Sequence, residues 1–237
     1  MPESLQAIAK MIDHSLLHPT MTDQELINGC LLAKKHDVAA VCIKPYAVKL
    51  AAALLAGSEV RVCTVVGFPH GSSRLDVKLE ETEFALTDGA TEIDIVVNIG
   101  KVLSEEWEYV SDEIDQLNIV TEGEGGILKV IFENDYLKDF HKIKLCEICN
   151  EHAVAFVKTS TGYGFVKRDN GMYSYDGATD HDLVLMRKTC VPSIQVKAAG
   201  GVRTLDDMLR VRALGVTRVG ATATEAILAE AKKRGYK

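Results

Sequence analysis

Short apolar runs recur at regular spacing along this chain, each followed by an amphipathic stretch. Leu5 to Ile12 predicts a short helix, and Asp13-His14-Ser15-Leu16-Leu17 a strand closed by His18-Pro19. Thr22-Asp23-Gln24-Glu25 has the form of a capping box, in which a hydroxyl and a carboxylate satisfy each other's backbone donors. It predicts a helix to about Asp37. Val38 to Lys44 is a continuous apolar strand, and Pro45 opens a helix through Leu55. The alternation then repeats, with strands over Val60 to Gly67, Thr91 to Asn98, Ile127 to Glu133, Ala153 to Ser160, Ser193 to Ala199 and Arg218 to Thr222. Helices are predicted over Ser72 to Asp88, Ser104 to Val120, Asp135 to His152, Thr179 to Lys188, Thr204 to Leu214 and Thr224 to Lys233.

These strands read as apolar throughout rather than alternating, as parallel strands covered on both faces do. Strict alternation of strand and helix implies a parallel sheet. Eight such units point to an α/β closed (β/α)8 TIM barrel, expected as a single domain over residues 1–237. An open doubly wound sheet is the alternative, although no dinucleotide glycine fingerprint follows the first strand. One segment, Tyr163 to Gly177, is too long for an ordinary loop between strand and helix. Its Asn170-Gly171 pair between alternating residues predicts an inserted β-hairpin after strand six. It would leave the carboxyl end of that strand, either as a lid bearing Lys167 or Arg168, or as a surface ornament or subunit contact.

Several ionisable residues interrupt the apolar runs. Glu92, Asp94 and Asn98 share one parity of their strand, and Lys129 and Glu133 share one parity of theirs. Lys158 falls with Phe156 and Ser160, and Lys197 with Gln195 and Ala199. Buried charges must pair or serve chemistry, because each loses hydration. Neighbouring strands are about 4.8 Å apart, so Asp94, Lys129, Lys158 and Lys197 are expected to meet in one barrel mouth. Two crowded lysines cannot both stay comfortably protonated, so one becomes a nucleophile and the other its cationic neighbour. A carboxylate such as Asp94 can relay protons, through a water. Without chemistry, the same residues form a salt-bridge network on the barrel floor. Lys158, within Phe156-Val157-Lys158-Thr159-Ser160-Thr161-Gly162, could alternatively reach up to solvent.

Other sequence features narrow the function. A net charge of −7 over 237 residues argues against a general nucleic-acid or membrane-surface binder, leaving room for a local anion pocket. Such a pocket is expected where Gly200-Gly201 and Gly220 meet the starts of the last two helices. No apolar run approaches the roughly 20 residues of a membrane span. Met1-Pro2-Glu3-Ser4 lacks the marks of a secretion signal, so a cytoplasmic protein with reduced core cysteines is expected. Cys146 and Cys149 with His152 resemble half a zinc site but have no matching pair, and His14 and His18 are separated from any helical metal pattern by Pro19. Trp107 is read as packing.

Taken in order, Ala39 to Cys42, Thr64 to Pro69, Glu92 to Gly100, Leu128 to Ile131, Phe156 to Gly162 and Val196 to Thr204 resemble the 2-deoxyribose-5-phosphate aldolase family, class I Schiff-base aldolases, over nearly the whole chain. The resemblance implies reversible cleavage of 2-deoxy-D-ribose 5-phosphate to D-glyceraldehyde 3-phosphate and acetaldehyde, with no metal or organic cofactor. It implies that Lys158 forms the Schiff base, that Lys197 is the cation favouring the neutral amine, and that Asp94 moves protons with Lys197 and a water. Asp13 and Lys129 would support them, Cys42 would line the site, and Gly200, Gly201, Gly220 and Thr222 would hold the phosphate. Partners are then small molecules, with a homo-oligomer, dimer or tetramer, expected. The family often has two serines where Thr222 and Ala223 stand, a shorter loop after Lys158, and a neutral residue at Lys44. Some relatives use a C-terminal tyrosine in proton transfer; the tail here is short, and Tyr236 is not assigned that role. Another Schiff-base aldolase, or a silent sugar-phosphate binder, is the rival reading.

Overall fold

The computed structural model describes residues 4–237. The reading of Met1-Pro2-Glu3 lies outside the described residues. Strands β1 (Ile12–Leu16), β2 (Ala40–Ile43), β3 (Arg61–Val66), β4 (Glu92–Val96), β5 (Ile127–Ile131) and β6 (Phe156–Lys158) are followed by a separate pair, β7 (Val166–Lys167) and β8 (Tyr173–Ser174). Then come β9 (Gln195–Ala199) and β10 (Arg218–Ala221). All but β7 and β8 pair in parallel, in the cyclic order β1-β10-β9-β6-β5-β4-β3-β2, and the ring closes through Asp13↔Gly220. The expected TIM barrel is present, with a two-stranded antiparallel hairpin inserted after β6.

Helices α1 (Leu5–Ala9), α2 (Asp23–His36), α3 (Val48–Leu55), α4 (Leu75–Thr87), α5 (Ile99–Leu103), α6 (Trp107–Gly123), α7 (Asp139–Glu151), α8 (Asp180–Thr189), α9 (Leu205–Ala213) and α10 (Thr224–Lys233) accompany the barrel. The Thr22–Glu25 capping box starts α2 as expected. Two expectations need correction. The strand read through Asn98 stops at Val96, because the Asn98 side chain accepts the Lys101 N–H and starts α5, a helix the sequence reading passed over. The strand read through Glu133 stops at Ile131; Glu133 is left-handed (φ 58°), and its carboxylate accepts the Thr161 N–H at 3.1 Å. Asn98 and Glu133 therefore lie beyond their strands. The Pro45 and Asp135 stretches open as single 3-10 turns, Pro45–Ala47 and Asn134–Tyr136, before their helices.

Outward strand residues such as Val41, Ile93, Val130 and Val219 pack under the helices in the large core. Inside the barrel the contents divide. Ala40, Cys42, Cys63 and Val65 form a small apolar patch on β2 and β3, and the other strands contribute buried charge. Cys146 and Cys149 are buried in the core and belong to no candidate metal-ligand cluster among the described residues. Trp107 packs against the core from the first turn of α6. No described helix is long and apolar enough to cross a membrane.

Two polar contacts outside the barrel hold the strands that matter most. Lys78 of α4 is fully buried and donates to the Val96 carbonyl and to Glu113 Oε1, both at 2.7 Å. Glu113 Oε2 accepts the Asn98 N–H at 2.9 Å, so this pair pins the carboxyl end of β4. Burial pushes Lys78 down and Glu113 up, and each charge opposes the shift of the other. Removing one partner strands a buried charge, so Glu113→Leu is expected to cost about 3–5 kcal/mol in urea unfolding. Adding Lys78→Met recovers most of the loss. On β1, His14 Nδ1 meets Thr224 Oγ1 at 2.8 Å, and burial, with His36 adding, pushes the imidazole down from 6.5 to about 4. The unfolded chain takes up that proton first as pH falls, so stability should drop between about pH 6.5 and 4. Urea titrations across that range should show one extra proton bound on unfolding, a component that His14→Asn removes.

Candidate active site

Parallel pairing sets side chains at matched levels on neighbouring strands. Asp94 of β4 is in register with Lys129 of β5, Lys158 of β6 with Lys197 of β9, and Lys197 in turn with Arg218 of β10. All point inward, and they converge on one carboxylate. Asp94 Oδ2 accepts from Lys158 Nζ at 2.7 Å and from Lys197 Nζ at 2.8 Å, while Oδ1 accepts from Lys129 Nζ at 2.8 Å. Asp13 lies 2.5 Å from Lys197 and 3.8 Å from Lys129, and it also accepts from Arg218. Glu92 lies 2.6 Å from Lys129 and 2.6 Å from Arg218. Asp94, Lys129, Lys158 and Lys197 thus meet directly, and Oδ2 is shared by Lys158 and Lys197.

Four buried cations, Lys129, Lys158, Lys197 and Arg218, face three buried carboxylates, Asp13, Glu92 and Asp94. With every group ionised the cluster carries one positive charge too many. Burial alone would push the acids up, but the surrounding cations outweigh it and hold Asp94 and Asp13 well below the ordinary carboxylate range. Burial likewise opposes the charge on Lys197 and Lys129, yet their carboxylates outweigh it and hold both firmly protonated. Three of the cations touch two or more carboxylates. Lys158 touches Asp94 alone.

Lys158 also meets a cavity of about 330 Å³ at the carboxyl end of the barrel, and stands with Cys42 and Lys197 in its lining. Asp94, Asp13 and Lys129 lie beneath it, fully buried. The short strand β6 is braced by its own hydroxyls. Thr159 Oγ1 donates to the Ala199 carbonyl at 3.0 Å, and Thr161 Oγ1 donates to Glu133. Cys42 Sγ, Cys63 Sγ and an Asp94 oxygen lie within 4.8 Å of one another and could ligate a soft cation, but the ammonium groups already on Asp94 repel one.

Gly200, Gly201, Gly220 and Thr222 line the same cavity. Gly200 and Gly201 are left-handed (φ 86° and 89°), a conformation that glycine adopts without strain. The two helix starts expected there are not equivalent. Thr204 and Asp207 close a capping box on α9, which satisfies the Thr204 and Asp207 N–H groups. The residue before α10 is Ala223, with no capping side chain, so that terminus keeps more of its donors available to an anion.

Some lining residues were not anticipated from sequence. Arg203, Tyr163, Phe165 and Tyr175 all face the cavity, whereas Lys167 and Arg168 do not. Arg168 instead reaches Asp176 at 3.0 Å at the base of the hairpin. Arg218 and Glu92 complete the charge cluster; Arg218 had been read only as the first residue of its strand. Lys44 donates to the Met21 carbonyl at 3.0 Å and stays out of the cavity. Tyr236 packs on the core, and the next residue, Lys237, accepts the Leu5 N–H of α1, at the end of the barrel opposite the cavity.

The model of the family described as DeoC/LacD family aldolase matches residues 7–224. The chain is 51% identical over 227 residues to a deoxyribose-phosphate aldolase of Rhodopirellula baltica, covering 96% of this chain and 90% of that one. It is 44% identical over 234 residues to one of Caldanaerobacter subterraneus subsp. tengcongensis, covering 98% and 97%. Among solved structures it resembles a deoxyribose phosphate aldolase of Aeropyrum pernix, described as having a unique tetrameric structure. That likeness has a TM-score of 0.85 at 27% identity, over 97% of this chain and 92% of the other. The chain belongs to the DeoC/LacD family of aldolases.

Proposed function

We propose that the chain is a Schiff-base aldolase that reversibly cleaves 2-deoxy-D-ribose 5-phosphate to D-glyceraldehyde 3-phosphate and acetaldehyde. One observation carries this reading. Lys158 lines the cavity and is the cation with a single carboxylate partner, in a cluster that holds one positive charge too many. Loss of the Lys158 proton balances the cluster and leaves a nucleophile facing the substrate.

The neutral amine adds to C1 of the open-chain sugar, and the carbinolamine loses water to give a protonated imine. Removal of the C3 hydroxyl proton breaks the C2–C3 bond. The electron pair passes into the imine as an enamine, and D-glyceraldehyde 3-phosphate leaves. Protonation at C2 and hydrolysis release acetaldehyde and restore the amine. Lys197, held cationic by Asp13 and Asp94, is the neighbouring charge that favours the neutral amine, and Asp94 Oδ2 is the shared acceptor through which protons pass. Lys129 and Asp13 fix that carboxylate and that ammonium in place, and Cys42 shapes the wall beside Lys158. Gly200, Gly201, Gly220 and Thr222, with the open α10 terminus and Arg203, receive the phosphate. This chemistry draws on amines and carboxylates alone and calls for no metal or organic cofactor. The substrate named for the relatives supports the choice of sugar, and the tetrameric relative supports a homo-oligomer, dimer or tetramer, acting in the cytoplasm on small molecules.

The aromatic hairpin and Ala223 favour one second reading, a Schiff-base aldolase for a different phosphorylated aldehyde or a ketone donor. Turnover of deoxyribose 5-phosphate set against deoxyribose and ketose phosphates separates the two.

Borohydride reduction in the presence of acetaldehyde should leave an adduct on Lys158, located by peptide mass mapping and absent from Lys158→Ala. An adduct confined to Lys197 would contradict these roles. Lys197→Leu should lower turnover near neutral pH by about a hundredfold or more and move the acidic limb of the pH–rate profile upward. An unchanged profile would count against the neighbouring-cation mechanism. Activity should survive EDTA; loss restored by zinc would point to metal-dependent chemistry.

A further inference from the structure

The inserted hairpin is fastened at every point where it meets the barrel. Asp135, in the turn after β5, accepts the Asp176 N–H at 2.5 Å and the Gly177 N–H at 3.0 Å. Tyr136 Oη donates to the Phe165 carbonyl at 3.2 Å, and the Ala178 N–H donates to the Gly200 carbonyl at 3.1 Å. Gly164 sits so close to Glu133 that an added Cβ would fall 2.5 Å from its carboxyl carbon. The hairpin is therefore a fixed wall of the cavity.

That wall presents rings to the cavity. Phe165 and Tyr175 meet edge to face at 5.4 Å, and Tyr163 meets Phe68 in the same way at 5.6 Å. Tyr175 lies against the glycine cradle. From the point where a Gly200 Cβ would sit, Tyr175 Cε2 is 3.3 Å away and Cδ2 3.7 Å, so the Cδ2–Cε2 edge of the ring lies against Gly200. The Tyr175 hydroxyl makes no hydrogen bond to another described residue. Tyr175 shares the cavity lining with Gly201, Thr222 and Arg203. The cradle beneath it lacks a hydroxyl at Ala223, and the capping box of α9 takes two of the donors at its own terminus.

We propose that Tyr175 binds the substrate phosphate through its hydroxyl, and that the hairpin serves to hold this donor over the cradle. The proposal rests on the aldolase reading above. It makes the hairpin a determinant of selectivity for phosphorylated over unphosphorylated sugar.

Tyr175→Phe keeps the ring against Gly200 and Phe165 and removes only the donor. KM for deoxyribose 5-phosphate should rise about tenfold, near the lower end of what one hydrogen bond to a charged group contributes. KM for unphosphorylated deoxyribose and kcat for both should stay within about twofold, and the inhibition constant of inorganic phosphate should rise with the first KM. Tyr173→Phe, on the exposed strand of the same hairpin, should change none of these. Equal changes for both sugars, or no change, would overturn the proposal. Failure of the unsubstituted protein to cleave deoxyribose 5-phosphate would instead overturn the aldolase reading, and trapping at Lys158 tests that reading without reference to Tyr175.

Discussion

A single carboxylate receives three buried ammonium groups in this barrel, and the interior is arranged to make that tolerable. Each buried ion loses several kcal/mol of hydration, which only close and well-placed opposite charge returns. Asp94 alone could not return it for Lys129, Lys158 and Lys197. Asp13 and Glu92 share the load, and Arg218 in turn ties those two acids together. Closure of the sheet is a requirement of this arrangement. Asp13 on β1 and Glu92 on β4 both reach Arg218 on β10, which an open sheet would leave on a distant edge. Each of the other cations is anchored by two or more carboxylates, whereas Lys158 holds one ion pair and lines the cavity.

The pattern of apolar runs made the barrel legible, because eight parallel strands covered by helices leave a strong periodic signal. The inward lysines and Asp94 were legible for the same reason: a charge inside an apolar run has few harmless explanations. Features that depend on contacts distant in sequence were not. Arg218 begins its strand, where a charge is unremarkable, and only its register with Lys197 and its contact with Asp13 reveal it as inward-facing. Lys78 and Glu113 occupy helices rich in charge, so nothing local marks them as a buried pair. Asn98 looked like the end of a strand because its capping role depends on the Lys101 N–H in the next turn. The Asn-Gly signal located the hairpin. Its turn takes in Asp169, Asn170 and Gly171, with Gly171 alone left-handed (φ 79°), a three-residue loop rather than the two-residue form.

The two halves of the cavity are built differently. The amine end depends on charges held within the sheet, so it is rigid by register. The glycine end depends on backbone at Gly200 and Gly201 and on the packing of the hairpin against it. Gly177 shows how tight that packing is, since an added Cβ there would fall 2.7 Å from the Gly200 carbonyl oxygen.

Asp135 clamps the base of the hairpin, while Asp169, Asn170 and Gly171 at its tip are exposed. Base and tip are therefore mechanically separate. Residues grafted into the turn would extend outward from a stem already fixed to the barrel, leaving the aromatic wall where it stands. The enzyme thus carries, beside its own cavity mouth, a ready attachment point for a peptide tag, a surface tether or a second catalytic domain.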